Sequence, residues 1–259
     1  MISSLQNTKI KLIRALAGRP KERREAGAFL AEGVRLVEEA LKANWSFRFV
    51  LFSEGLSERG VQLRKKIEEK GIEIEEVEGA LLHSLSETET PQSILAVLND
   101  SRLPIPVSPN FLLIPDQIRD PGNLGTLLRS ADAAGVQAVT LPPETTDAFA
   151  PKAVRSGMGA HFRLAIQSMS WDEIYQRTQG LQVFLADMEG RSCWETDFRR
   201  PLALIIGGEA GGASEQAQKL AVRRVSIPMV GKTESLNAAV AGSVLMFEVM
   251  RQRQGMRIP

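Results

Sequence analysis

Apolar residues recur along this chain at two spacings. In "AEGVRLVEEALKA", residues 31–43, Val34, Val37, Ala40 and Leu41 fall on one face of a 3.6-residue repeat, which predicts an amphipathic helix. "ERGVQLRKKIEEKG", residues 58–71, predicts an exposed helix ending at Gly71. Between and after them, "FRFVLFS" (47–53) predicts a buried strand, "IEIEEV" (72–77) an alternating one, and "SILAVL" (93–98) another. "SRLPIPVSPN", residues 101–110, then breaks the pattern with three prolines among Ser and Asn, and predicts a linker without regular structure.

Beyond the linker the order is strand, glycine-containing turn, helix, repeatedly. "FLLIPDQI" (111–118) leads through "RDPGN" into the helix "LGTLLRSADAAG" (124–135), and "AVTL" (138–141) follows. "LQVFLAD" (181–187), "LALIIGGE" (202–209) and "RRVSIPM" (223–229) predict further strands, and "SLNAAVAGSVLMFEVMRQR" (235–253) a long final helix. Apolar strands alternating with helices argue for an α/β fold whose sheet is mainly parallel and buried on both faces. In such sheets ligands lie outside the carboxyl ends of the strands. The pattern therefore divides the chain into a small α/β domain (1–100), a linker (101–109) and a larger α/β domain (110–259).

Composition narrows this little. With 32 Lys and Arg against 31 Asp and Glu, the net charge of +1 indicates no partner, so only local clustering could. Cys193 is the single cysteine, which rules out an intrachain disulfide and a Cys-based zinc cluster and suits a reducing compartment. No run of about 18 apolar residues predicts a membrane span. The first residues lack the apolar core of a signal peptide, so a cytoplasmic protein is expected.

Three loops at the predicted ligand edge could carry chemistry. In "RDPGNLGTLLRSADAAG" (119–135), Asp120-Pro121-Gly122 is a turn, Asn123 a candidate N-cap, and Gly135 a left-handed terminator. Arg129, six residues past Asn123, either pairs with Asp132 at i+3 or grips an anion near the loop. "LIIGGEAGGAS" (204–214) invites the dinucleotide fingerprint but fails it, because Glu209 and Ala210 stand where glycine is required in the two registers. What remains is a buried strand opening into Gly207 and Gly208, where a ligand could approach the backbone, with Glu209 able to accept hydrogen bonds. "MVGKTESLNAAVAG" (229–242) contains Gly231-Lys232-Thr233, yet Ser226 holds the place of the leading glycine of a P-loop. The intervening Ile227-Pro228-Met229-Val230 is too apolar and stiff to wrap a phosphate. Ile227, Met229 and Leu236 could instead wall a flat ligand; taken alone, Ser235 reads as a cap and Leu236 as packing.

In this order and spacing the three segments closely resemble the motifs of the SpoU (TrmH-type) RNA ribose 2′-O-methyltransferase family of the SPOUT superfamily. The resemblance covers most of residues 110–253. It extends to "FLAEGVRLVEEAL" and "TETPQSILAV", which look like the substrate-binding domain at the N-terminus of many such enzymes, itself similar to small ribosomal RNA-binding proteins. It implies a C-terminal domain tied in a deep trefoil knot, which periodicity alone would not suggest. It implies S-adenosylmethionine (SAM) bound by loop backbone near Gly207, Gly208 and Glu209, with Ile227, Met229 and Leu236 as the apolar wall and the loop from Ala186 to Gly190 beside it. Lys232 and Thr233 depart from the smaller residues expected there.

The implied reaction moves a methyl group from a sulfonium to a ribose 2′-hydroxyl. It needs alignment and proton removal and no metal, since the leaving group is already cationic. The family's proton-removing arginine matches Arg129. A guanidinium rarely gives up its own proton, so Arg129 reads better as a phosphate ligand that polarises the hydroxyl. Asn123 would position the ribose or Arg129, and Ser235 and Asn237 would complete the catalytic pocket. A homodimer through the knotted domain, with the last helix involved, is also implied.

The first 24 residues carry Lys9, Lys11, Arg14, Arg19, Lys21, Arg23 and Arg24 against the single acid Glu22. Such a cluster is often only a solvated face, but beside these motifs Arg19, Lys21, Arg23 and Arg24 are expected to meet RNA phosphates. Arg155, in "APKAVRSGMGAHF", is expected to face the RNA as well, and His161 to be a half-buried strand residue. Trp171 and Trp194 read as packing residues. The two-domain layout favours ribosomal RNA, 23S above all, over tRNA. The rival reading is an RNA-binding protein that keeps the fold without the chemistry.

Overall fold

A computed structural model describes residues 1–86, 92–208 and 211–254. Clustering of contacts separates the chain into two units, Met1–Ser101 with Phe149–Phe162, and Arg102–Ala148 with Arg163–Pro259.

The first unit begins with helices α1 (Thr8–Ala17) and α2 (Pro20–Ala26), continues through strand β1 (Ala28–Glu32), α3 (Val34–Lys42), β2 (Phe47–Phe52), α4 (Glu58–Glu69), β3 (Ile74–Glu76) and α5 (Gly79–Ser84), and ends with β4 (Ile94–Asn99). The sheet order is β1-β4-β2-β3, antiparallel except for the β2–β3 pair. The helix expected from Ala31 starts only at Val34, because Ala31 and Glu32 pair with β4 as the end of β1. It buries Leu36 together with Val37, Ala40 and Leu41, while Val34 is only half-buried at the first turn. Beneath α1 lies a core of Ile10, Ile13, Leu16, Leu30, Leu51 and Val97.

Cations hold much of this unit together. Lys9 reaches across to β3, bonding Glu73 at 2.5 Å and also Glu75. Arg23 is buried, its Nη1 donating to the carbonyls of Leu16 at 2.6 Å and Gly18 at 3.0 Å, which satisfies the end of α1. Arg48 donates to Asn99 Oδ1 at 2.6 Å and to the carbonyls of Ala26 and Gly27. The charge-assisted bonds of the buried Arg23 to the Leu16 and Gly18 carbonyls each contribute roughly 1.5–3 kcal/mol.

In the second unit, β5 (Phe111–Pro115), α6 (Pro121–Ala134) and β6 (Ala138–Leu141) come first. The chain then contributes α7 (Pro151–Gly157) and a 3-10 turn at Ala160–Phe162 to the first unit, where Phe149 lies 4.9 Å from the Phe29 ring. It returns with β7 (Ala165–Ser168), α8 (Trp171–Arg177), β8 (Gln182–Ser192), β9 (Leu202–Ile206), α9 (Glu215–Leu220), β10 (Arg223–Ser226) and α10 (Ala238–Gln254). The sheet order is β10-β8-β9-β5-β6-β7, and every pairing is parallel. The almost wholly apolar β5 and β9 lie side by side at its centre, each residue buried, as expected for a sheet covered on both faces. The segment expected as a linker has no regular element, yet Leu103 and Ile105 pack onto this unit's core.

Candidate functional site

The carboxyl ends of β5, β8, β9 and β10 deliver the segments that form the site. After β5, Asp120 accepts from the Asn123 backbone N–H at 2.9 Å and caps α6, and Pro121 occupies its first turn. Asn123 is therefore inside the helix and not its cap. Gly135 ends α6 at φ +79°, the left-handed geometry that glycine tolerates. Arg129 is exposed on α6. Asp132, its possible partner at i+3, pairs instead with Arg163 at 2.8 Å.

After β9 the chain turns through Gly207 and Gly208. A Cβ on Gly208 would lie 2.4 Å from the Gln117 carbonyl oxygen, and one on Gly207 2.8 Å from the Ala213 nitrogen. Only hydrogen side chains fit, so the loop presses its backbone against the end of β5. The fully buried Asp116 holds the far side of this loop, its Oδ2 accepting from the Ser214 N–H at 2.6 Å. Burial pushes the Asp116 carboxyl upward in pKa, against the lowering effect of the Ser214 bonds.

After β10 the chain runs irregularly until Asn237, whose Oδ1 accepts from the N–H groups of Ala239 at 2.9 Å and Val240 at 3.3 Å. Asn237 is thus the cap of α10, and the final helix starts three residues later than its sequence suggested. Ser235, read as a possible cap, lines a cavity instead. The Nδ2 of Asn237 donates to Asn123 Oδ1 at 3.2 Å, joining the first and third segments. Nearly two turns deeper, the Ser130 and Ser243 hydroxyls meet at 2.7 Å. At Gly242 an added Cβ would stand 2.4 Å from Leu127, which is why α10 can lie so close to α6.

These segments enclose a cavity of about 950 Å³. Gly207 and Gly208 line it, as do Ala186, Ser235 and Asn237; Ile227, Met229 and Leu236 supply apolar walls. Asn123 meets this set through Asn237, and Arg129 stands outside the lining. Glu209 lies outside the described residues. Ala186–Gly190 is not a loop after a short strand: β8 runs on to Ser192. Arg224 pairs with Leu185 and the next residue, Val225, with Arg191, so this stretch is an excursion between two ladder segments. Gly190 permits it, since its Cβ would sit 2.4 Å from the Val225 nitrogen.

The expected RNA contacts fare unequally. Arg19, Lys21 and Arg24 are exposed, whereas Arg23 is turned inward onto α1 and is not a surface cation. Arg155 approaches the Glu32 carboxylate at 3.5 Å within the first unit. His161 is fully buried in the 3-10 turn, not on a strand. Trp171 packs against the second core, but Trp194 is 54% exposed. Sequence reasoning missed Asp116 and Gln117, and named Gly190 only as the end of a loop beside the ligand. The signal for the first two was a pair of polar residues directly after an apolar strand; Gly190 gave none, because its neighbour is 35 residues away.

Comparison with known proteins places this geometry. Residues 110–247 match the SpoU rRNA Methylase family, and residues 7–96 match the MRM3-like substrate binding domain. The chain is 34% identical to the 23S rRNA (guanosine(2553)-2′-O)-methyltransferase RlmP of Bacillus subtilis, over 96% of this chain and 98% of that one. It is also 34% identical to a 23S rRNA (uridine(2479)-2′-O)-methyltransferase of Streptomyces viridochromogenes, over 96% and 91% of the two chains. The crystal structure of the SpoU methyltransferase AviRb from that organism, in complex with AdoMet, superposes with a TM-score of 0.85 at 30% identity, covering 96% of this chain and all of the other. The chain belongs to the SpoU methylase family.

Proposed function

We propose that this protein transfers a methyl group from SAM to a ribose 2′-hydroxyl of 23S ribosomal RNA. The observation that carries the reading is the cavity itself: segments from three parallel strands, β8, β9 and β10, and the start of α10 line it, and glycines bring main chain to its wall. Its volume suits a nucleoside-sized ligand. Ile227, Met229 and Leu236 offer flat apolar contact, and Gly207 and Gly208 bring backbone without side chains to the wall. SAM supplies a methyl group on a sulfonium, which leaves as a neutral thioether. With SAM bound, the C–S bond would break with its electron pair staying on sulfur as a C–O bond forms, and the hydroxyl proton would pass to water. The residues then have positional work: Asn237, held by α10 and Asn123, fixes the cavity rim, and Arg129 binds RNA phosphate and polarises the hydroxyl.

In this reading the segment between β10 and α10 is threaded as a trefoil knot, which accords with two separate stretches of chain bordering one cavity. Two copies associate through the second unit, covering Val240 and Phe247, apolar residues seven apart and exposed on α10. The substrate is gripped by the first unit through Arg19, Lys21 and Arg24, and the enzyme works in the cytoplasm. Arg129→Ala tests the assignment of roles. Single-turnover methylation should fall about a hundredfold or more while the SAM dissociation constant changes less than about threefold. A near-normal rate would remove Arg129 from the chemistry.

A further inference from the structure

Asp116 is fully buried, yet its Oδ1 has no hydrogen-bond partner among the described residues. A buried carboxyl half satisfied in this way is costly, and such costs concentrate where a function requires them. Its other oxygen accepts from the backbone N–H of Ser214 at 2.6 Å. Its own N–H donates to the Ile206 carbonyl at 2.8 Å. The residue is therefore pinned to both ends of the glycine segment, at Ile206 where the segment leaves β9 and at Ser214 where it enters α9.

The neighbouring backbone is strained in the same place. Gln117 has φ +54° and Glu144 φ +68°, left-handed geometry that non-glycine residues rarely adopt. The Gln117 N–H donates to Thr145 Oγ1 at 3.1 Å, and that hydroxyl donates to the Pro115 carbonyl at 2.8 Å. This arrangement sets the Gln117 carbonyl against Gly208.

We propose that Asp116 is a positioning residue for the cofactor, bracing Ser214 from below so that the neighbouring backbone at Gly207, Gly208, Gly212 and Ala213 presents a fixed wall to SAM. The inference rests on the SAM-binding reading of this cavity. Asp116 touches no reacting group and acts only through Ser214 and Ile206. Its loss loosens cofactor binding and leaves the chemical step intact.

The test measures SAM affinity by calorimetry, kcat at saturating SAM, and hydrogen exchange of the Ser214 amide in the full-length protein. Asp116→Ala is expected to weaken SAM binding about tenfold or more, with faster exchange at Ser214 and kcat within about threefold. Asp116→Asn, which keeps an acceptor in the same shape, should restore affinity to within about threefold. Ser214→Pro reaches the bond from the other side: Ser214 has φ −61°, which proline accepts, and the change removes the donor to Asp116 together with the hydroxyl that caps α9. It is compared with Ser214→Ala, which loses the cap alone. Ser214→Pro too should weaken SAM binding, and it decides the matter if Asp116→Ala does not fold. A folded Asp116→Ala or Ser214→Pro that binds SAM like the unsubstituted protein overturns the brace. If the unsubstituted protein binds no SAM, the functional reading fails instead, and unchanged Ser214 exchange in Asp116→Ala would overturn the brace separately.

Discussion

The proposed cofactor cavity and the first unit are built from opposite materials. Around the cavity the decisive contacts are main chain on main chain: Gly208 against Gln117, Gly190 against Val225, and Gly207 against Ala213. In the first unit they are long cationic side chains, with Lys9, Arg23 and Arg48 joined to carboxylates and helix-end carbonyls. A glycine can be replaced by nothing larger where a backbone stands in the way. A lysine or arginine has several possible roles, and its position in the sequence does not say which. Backbone-built sites are therefore more legible than charge-built ones.

The largest expected effect breaks the backbone side of that comparison. Gly208→Ala forces a Cβ to within 2.4 Å of a carbonyl oxygen that is held by its own strained turn. Overpacking of this kind costs about 1–3 kcal/mol, so SAM affinity should fall up to about a hundredfold, read by calorimetry. Unchanged affinity would mean that the segment yields freely and that its glycines are not required by close approach.

The charge side gives smaller effects that must separate. Neutralising Arg19, Lys21 and Arg24 together should weaken RNA binding and reduce the salt slope by up to about three, with the melting temperature nearly unchanged. Arg23→Ala should do the reverse, costing about 2 kcal/mol of stability through the exposed end of α1 while leaving the slope of the folded protein alone. If Arg23→Ala flattened the salt slope as much as the triple change, the distinction between surface and structural cations in this unit would fail.

The same contrast explains what the sequence could and could not tell. Alternating apolar strands and helices made the parallel sheet readable, because β5 and β9 bury every side chain. Gly207, Gly208, Ile227, Met229, Ser235, Leu236 and Asn237 were each placed in or beside one pocket from motif order, and the fold brings them to one cavity. The local roles went astray where two residues competed for one job. Asp120 took the cap expected of Asn123, and Asn237 the cap possible for Ser235; each winner is the residue just before the first helical turn. Arg23 was misread because its surroundings in sequence are all basic, while its partners are carbonyls on the preceding helix. Asp116 was passed over because its meaning depends on Ser214, 98 residues later. The last two residues of β1, Ala31 and Glu32, were drawn into the helix because only Gly33 separates them from the α3 repeat.

The central claim is methyl transfer to a ribose of 23S ribosomal RNA. It is tested most directly by incubating the protein with labelled SAM and total RNA from a strain lacking it, then digesting the RNA to locate 2′-O-methyl nucleotides. The account predicts label at a ribose within one fragment of 23S ribosomal RNA, and transfer at least about a hundredfold slower with Arg129→Ala. Label confined to tRNA, or no transfer by a protein that binds SAM and is offered both free RNA and ribosomal assembly intermediates, would contradict it.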